Sequence, residues 1–244
     1  MISGKTYAYG KHAVLEALRA TPKAIEKVFI ESASDDSDIK ALAEKAGIQI
    51  SHKLPNDLED AVHQGVVASI ILPKLLKPYK EFAEELKVTA DTSLVLLGEL
   101  QDPQNVGAVI RSAAAFGISG VLVPEHNQVQ ITGSVVKVSA GMAFRIPLVT
   151  VPNVNNAIRD LKERGFWIYG LEGEGKNPLP KEKFDAPAVF IIGGEAKGIR
   201  EKTKELCDII LSIPINPQCE SLNAAASAAA VLYAWSVQHP KSLK

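Results

Sequence analysis

Three short segments carry the polar groups whose types and spacing could do chemistry. In "DPQNVGAVIRSAAAFG" (102–117) a small-residue helix opens near an amide, Asn105, and carries a guanidinium, Arg111, six residues later. Either Asn105 caps the helix and Arg111 reaches water along its stem, or both serve a ligand. In "FIIGGEAKGIR" (190–200) a buried strand runs into Gly193 and Gly194, then Glu195, Lys197, Gly198 and Arg200. Ligands of parallel α/β sheets sit beyond the carboxyl ends of strands, and glycines there let a ligand approach the backbone; a tight turn with a surface glutamate reads the same way. In "IPINPQCESLNAAASAAAVLYAW" (213–235) Ser221 reads as an N-cap and the alanines as good helix formers, which leaves Asn223 in the first helical turn unexplained. The small face over 224–230 would let another backbone come unusually close.

A fourth segment, "LEGEGKNP" (171–178), follows a strand and superficially resembles the acidic glycine-rich turn of open-sheet methyltransferases. It runs into "NPLPKEKF" instead of a helix, so no helix N-terminus stands ready to receive a ligand, and a solvated turn is the better reading. The chain has no G-x-x-x-x-G-K-[ST] loop, which disfavours an NTPase. Its two cysteines, Cys207 and Cys219, and its five scattered histidines match no zinc spacing, so no structural metal is expected.

The elements that must position these groups follow from the apolar patterning. Of 244 residues, 46% are hydrophobic, enough for one large domain or two modest ones. Up to about residue 72, helical and strand patterns alternate: "KHAVLEALRA", "KVFIE", "DSDIKALAEKAG", "IQISH", "LPNDLEDAVHQG" and "VVASIIL". The proline-bearing, mixed-charge stretch "PKLLKPYKEFAEELKVTADT" reads as a connector with a short amphipathic helix. The expected division is therefore 1–74, a linker 75–91, and 92–244. In the second part "SLVLLGEL", the 102–117 helix and "GVLVPE" form a βαβ unit, which implies a parallel sheet. "FWIYGLE", "AVFIIGGE" and "DIILSIPI" add strands, "NVNNAIRDLKERG" a helix, and the chain closes on an alanine-rich helix.

The combination resembles the SpoU family of RNA ribose 2'-O-methyltransferases within the knotted SPOUT superfamily. "NVGAVIR", "IIGGEAKGI" and "IPINPQCESLNAAASAA" are similar to its three ordered motifs, and "YGKHAVLEAL" with "AVHQGVVA" resembles the L30e-like substrate-binding extension of the subgroup that methylates a guanosine of large-subunit ribosomal RNA. The resemblance implies an α/β fold with a deep trefoil knot, a rare exception to the avoidance of knots. It implies S-adenosylmethionine as methyl donor, contacted by Gly193, Ile213 and Leu222 with Ile215 and Gly198 nearby, and a homodimer in which the partner completes the site. It places the catalytic set on Asn105, Arg111, Glu195, Ser221 and Asn223. Arg111 is proposed in the family as the group that activates the hydroxyl. A guanidinium with a pKa above about 12 puts its neutral form about 5 units, or about 7 kcal/mol, uphill at pH 7, so a fixed charge that binds the adjacent phosphate and stabilises developing alkoxide is the better role. Pro217, Ala196 and Met142 depart from the family's usual glycine, glycine and alanine, which touches loop shape more than reactive groups.

Lys+Arg of 27 against Asp+Glu of 28 gives a formal charge of -1, so RNA contact must rest on local spots, shape and unpaired bases. The candidates are Lys11 with His12, Lys137, Arg145, and the "KGIREKTK" cluster, in particular Lys197 and Arg200; a solvated helix face explains that cluster equally well. No window approaches the roughly 18 uninterrupted apolar residues of a membrane span and "MISGKTYAYGKHAV" lacks a signal-peptide core, so a soluble cytoplasmic protein is expected. Two rival functions remain: a non-catalytic RNA-binding or ribosome-assembly protein on the same fold, and a small-molecule methyltransferase using Glu172 in the "LEGEG" turn. Within the main reading, a transfer RNA could replace ribosomal RNA as substrate.

Overall fold

The computed structural model describes residues 4–31, 36–55, 58, 63–173, 175–194 and 198–243. The amino-terminal part contains β1 (Lys5–Tyr9), α1 (Lys11–Ala20), β2 (Ile25–Ile30), α2 (Ser37–Lys45), β3 (Gln49–Ser51), β4 (Val66–Ile71) and the single turn α3 (Leu72–Leu75). Its four strands run in the order β1-β4-β2-β3, with β4 antiparallel to both neighbours and β2 parallel to β3. β4 reads "VVASII" and is almost wholly buried, as a central strand covered on both faces should be. Of the helix expected over 54–65, residues 56, 57 and 59–62 lie outside the described residues.

The rest of the chain contributes β5 (Leu76–Pro78), α4 (Tyr79–Glu85), β6 (Ser93–Gly98), α5 (Pro103–Ala115), β7 (Gly120–Pro124), α6 (Gly133–Val138), β8 (Leu148–Val151), α7 (Val154–Glu163), β9 (Trp167–Leu171), β10 (Asn177–Pro178), β11 (Ala188–Gly193), α8 (Glu201–Lys204), β12 (Ile209–Ser212) and α9 (Ala224–Gln238). The sheet order is β10-β12-β9-β11-β6-β7-β8-β5, with every pairing parallel. This is the α/β, parallel-sheet class the patterning implies. The segment read as a connector instead supplies the edge strand β5, paired to β8, and a helix that packs there. Leu76 and Phe82 are buried, so its apolar residues outweigh the proline signals that suggested a loop.

Strand alternation splits the core. Val95 and Leu97 of β6, Phe190 and Ile192 of β11 face α5 and α9, while Leu94, Leu96, Val189 and Ile191 face α7. Each such side chain contributes about 1.5–3 kcal/mol on burial. The chain's last helix is tied down by His239, which stacks on Trp235 and whose ring nitrogens lie 2.9 Å from Asp91 Oδ1 and 2.8 Å from the Phe184 carbonyl.

The first sheet sits directly on the second unit. A Cβ at Gly133 would lie 2.2 Å from the Tyr9 ring and 2.6 Å from the Tyr7 carbonyl oxygen, so only glycine lets α6 approach β1 this closely. Nearby, the buried Glu16 carboxylate of α1 accepts from Arg145 Nε and lies 3.6 Å from Arg19. Chiefly through that Arg145 bond, the Glu16 carboxyl is held below its ordinary 4.5. A carboxylate lowered in the folded state adds stability that is complete above pH 4.5 and is lost as pH falls through the lower folded value. Glu16→Gln is thus expected to melt below the parent at pH 7, with the gap closing under acid. A pH-independent gap between the two melting curves would contradict this account.

Candidate active site

Two helices that are far apart in sequence lie side by side, with their amino-terminal ends in contact. α5 begins at Pro103 after Asp102, whose side chain accepts from the Gln104 amide at 2.8 Å. Asn105 is therefore a buried first-turn residue, 6% exposed, and not the cap that the sequence suggested. Proline at the first helical position needs no hydrogen-bond partner, and this shifts the start three residues upstream. α9 begins one residue after Asn223, whose Oδ1 accepts from the amides of Ala225 at 2.9 Å and Ala226 at 3.2 Å. Asn223 is the cap, in place of Ser221. Its Nδ2 donates to Asn105 Oδ1 at 2.8 Å across 118 residues of sequence. Both ends of one side chain are thereby used, and an alanine there would lose the cap, about 1 kcal/mol, as well as the link between helices.

The loop that delivers α5 is clamped. Gln128, 6% exposed, accepts from the Leu100 amide at 2.9 Å and donates to the Leu100 carbonyl at 3.0 Å. Glu99, just after β6, takes a left-handed backbone with φ 67° and pairs with Arg200 at 2.7 Å. This pair joins the loop after β6 to the segment following β11.

Beside the asparagine contact lies a cavity of roughly 710 Å³, walled by Ile192, Gly193, Gly194 and Gly198 on one side and by Leu211, Ile213, Ile215, Ser221 and Leu222 on another. All five residues assigned to the cofactor, and Ser221 of the catalytic set, face this one space. Gly194 and Gly198 close a tight loop through reciprocal backbone bonds of 3.1 and 2.9 Å. β12 stops at Ser212, short of the expected "DIILSIPI" strand, because Pro214 has no amide to offer a neighbour. That early stop is what leaves Ile213 and Ile215 on the cavity wall.

The rest of the assigned residues divide. Glu195, Ala196 and Lys197 lie outside the described residues. Arg111 is exposed, does not line the cavity, and makes no hydrogen bond or ion pair among the described residues. Six residues turn a helix by about 240°, so Asn105 and Arg111 leave α5 in different directions. Three candidate RNA contacts are engaged within the chain: Lys11 with Asp36 at 2.7 Å, Arg145 with Glu16, and Arg200 with Glu99. His12 and Lys137 are exposed and form no ion pair among the described residues.

Leu171, Glu172 and Gly173 also line the cavity, as do Ala224 and Ser227. The "LEGEG" turn was discounted because no helix follows it; α9, arriving from 50 residues downstream in sequence, supplies the helix instead. Cys207 offers no thiol chemistry: burial pushes its thiol up to about 12, which keeps it protonated at neutral pH. Among the described residues no group of three or more His, Cys, Asp or Glu could hold a metal, and no helix is long and apolar enough to cross a membrane.

Similarity to known proteins matches this geometry. The SpoU rRNA methylase family matches residues 92–233, and the family described as RNA 2'-O ribose methyltransferase substrate binding matches residues 7–75. The chain is 33% identical over 236 residues to the 23S rRNA (guanosine-2'-O-)-methyltransferase RlmB of Xylella fastidiosa, covering 92% of this chain and 93% of the relative. It is 34% identical to the same enzyme of Pectobacterium atrosepticum, covering 92% and 95%. Among solved structures, the SpoU methyltransferase AviRb from Streptomyces viridochromogenes in complex with AdoMet superposes with a TM-score of 0.82 at 24% identity, covering 97% of this chain and 91% of that one. With both halves of the sequence matched and the cavity lined by residues of the second and third motifs, the chain belongs to the SpoU rRNA methylase family.

Proposed function

We propose that this protein transfers a methyl group from S-adenosylmethionine to a ribose 2'-hydroxyl of structured RNA, a guanosine of large-subunit ribosomal RNA. The observation that carries this reading is the asparagine contact: it ties Asn105 of the first motif to Asn223, whose chain neighbours Leu222 and Ala224 line the same cavity as Gly193 and Gly198 of the second motif, at the carboxyl ends of parallel strands. The relatives of nearly equal length named for 23S rRNA guanosine-2'-O-methylation support the substrate.

The cavity fits the donor. It is large enough for a nucleoside with an amino-acid tail, and it offers apolar walls at Ile213, Ile215 and Leu222. At Gly193 a Cβ would lie 2.6 Å from the Gly198 carbonyl carbon, so backbone closes there as tightly as side chains normally would. When bound, S-adenosylmethionine supplies a methyl group on a positively charged sulfur. The protein's own work is alignment and charge. Asn105, Asn223 and Ser221 orient the ribose and the loops by hydrogen bonds, and Glu195 orients its amide neighbours or Arg111. Arg111 would hold the phosphate next to the target and stabilise the negative charge that develops on the 2'-oxygen as its proton passes to solvent water.

The finer architecture belongs to the same proposal. Residues 1–74 form an L30e-like RNA-binding domain, 75–91 a joint, and 92–244 a SPOUT domain whose carboxyl-terminal segment passes through a trefoil knot. In support, β12 lies between β9 and β10, and the chain then returns across the cavity to α9, which packs on α5. The protein acts as a cytoplasmic homodimer. α9 is largely apolar, yet Tyr233 and Val237 are 59% and 61% exposed, a face suited to a second copy.

Mapping 2'-O-methyl marks across total RNA with and without this protein tests the reading. One lost mark on a guanosine of large-subunit RNA is expected. A mark lost from a transfer RNA would move the substrate assignment, and an unchanged map together with no binding of S-adenosylmethionine would make the protein a non-catalytic member of its fold.

A further inference from the structure

Glu172 contributes the only charged side chain among the described residues that line the cavity. It follows β9, and its backbone amide donates to the Leu211 carbonyl at 3.0 Å, which fixes it against β12. Its side chain is 23% exposed. One carboxylate oxygen, Oε2, lies 2.5 Å from Lys204 Nζ, while Oε1 has no hydrogen-bond partner among the described residues. A carboxylate held at one oxygen and open at the other, on the wall of a binding cavity, is an acceptor awaiting donors.

Sheet order says which part of a ligand meets it. Across the strand ends run β12, β9, β11 and β6 in succession. Beyond β12 stand the apolar Ile213 and Ile215, at the end of β11 Gly193 and Gly194, and beyond β6 the helix that carries Asn105. S-adenosylmethionine has a flat apolar base at one end, a reactive sulfonium toward the other, and a ribose with two adjacent hydroxyls between. With the base on the isoleucines and the sulfonium toward the asparagine pair, the ribose falls beside the end of β9. A carboxylate at a strand end is also how dinucleotide-binding sheets take a ribose hydroxyl.

We propose that Glu172 accepts hydrogen bonds from the ribose hydroxyls of the bound methyl donor, and that Lys204 holds its carboxylate in place for this. The proposal rests on the methyl-donor reading above. Lys204 is a positioning residue: it fixes one oxygen and leaves the other directed by geometry. A carboxylate near the sulfonium adds attraction that the neutral demethylated product lacks.

The test is calorimetric titration of the full-length protein with S-adenosylmethionine and with its 2'-deoxy and 3'-deoxy analogues. The parent protein is expected to bind at least one deoxy analogue about tenfold or more weakly, as loss of a charge-assisted hydrogen bond requires. Glu172→Ala is expected to bind S-adenosylmethionine about tenfold more weakly and to treat it and the deoxy analogues alike. Glu172→Gln, which keeps the side chain's size and one acceptor, should fall between, and serves if the alanine variant does not fold. Lys204→Met should weaken binding while keeping a preference for the intact diol. If the Glu172 variants discriminate against the deoxy analogues as strongly as the parent does, the ion pair is only a tie between β9 and α8 and the proposal is wrong, while the methyl-donor reading stands. If the parent does not bind S-adenosylmethionine, both fall.

Discussion

Arg111→Ala is expected to lower kcat for RNA methylation by about 100- to 1000-fold, the usual effect of removing one group that stabilises charge developing in the transition state. The same substitution should leave the affinity for S-adenosylmethionine unchanged, because Arg111 is exposed and does not line the cavity. Folding should also be preserved, since the guanidinium makes no hydrogen bond or ion pair among the described residues. Lysine at this position keeps the charge but not the planar fork that grips a phosphate, so Arg111→Lys should recover only part of the rate. The salt dependence of RNA binding should become shallower by about one phosphate contact in the alanine variant. Single-turnover kinetics with calorimetry on the same samples provide the check. Full activity in Arg111→Ala would remove this residue from the mechanism, and lost donor affinity would move it into the cavity.

The second large effect is expected from a single methyl group. A Cβ on residue 193 would lie 2.6 Å from the Gly198 carbonyl carbon, 2.8 Å from the Ile199 nitrogen and 2.9 Å from the Gly198 oxygen. All three are backbone atoms, so no side chain can swing aside. In Gly193→Ala the loop closed by the Gly194 and Gly198 bonds must open, at a cost of about 1–3 kcal/mol. Because that loop is a wall of the cavity, the strain reaches the cofactor: affinity for S-adenosylmethionine should fall by about tenfold to 100-fold. Melting temperature and donor affinity measured on one preparation distinguish this from general destabilisation. Tight binding by a poorly folded variant would contradict the geometry.

Much of this site could be read from residue order. Continuous apolar runs such as "SLVLLGEL" and "AVFIIGGE" fit only strands covered on both faces, so a parallel sheet and the position of the glycines at its carboxyl edge followed from patterning. The second and third motifs place their assigned residues on one cavity wall for the same reason: they are local stretches, and each brings its own backbone conformation. Cap positions were read less well. Asp102 and Asn223 took the roles given to Asn105 and Ser221, since any short polar side chain near a helix start can cap and only the backbone angles choose among them.

What tertiary structure alone decided are the contacts between segments that sequence keeps apart. The Asn105–Asn223 bond spans 118 residues, and no local signal distinguishes an amide that will meet another from one that faces water. Glu172 was set aside because its own turn leads to no helix, but the fold brings α9 to it from elsewhere. Lys11, Arg145 and Arg200 looked like free cations, yet each found a carboxylate on another element. The physical reason is common to all three cases. Local sequence fixes backbone preference and which face is apolar, whereas the partner of a polar group depends on which distant elements the packed core brings within about 3 Å of it.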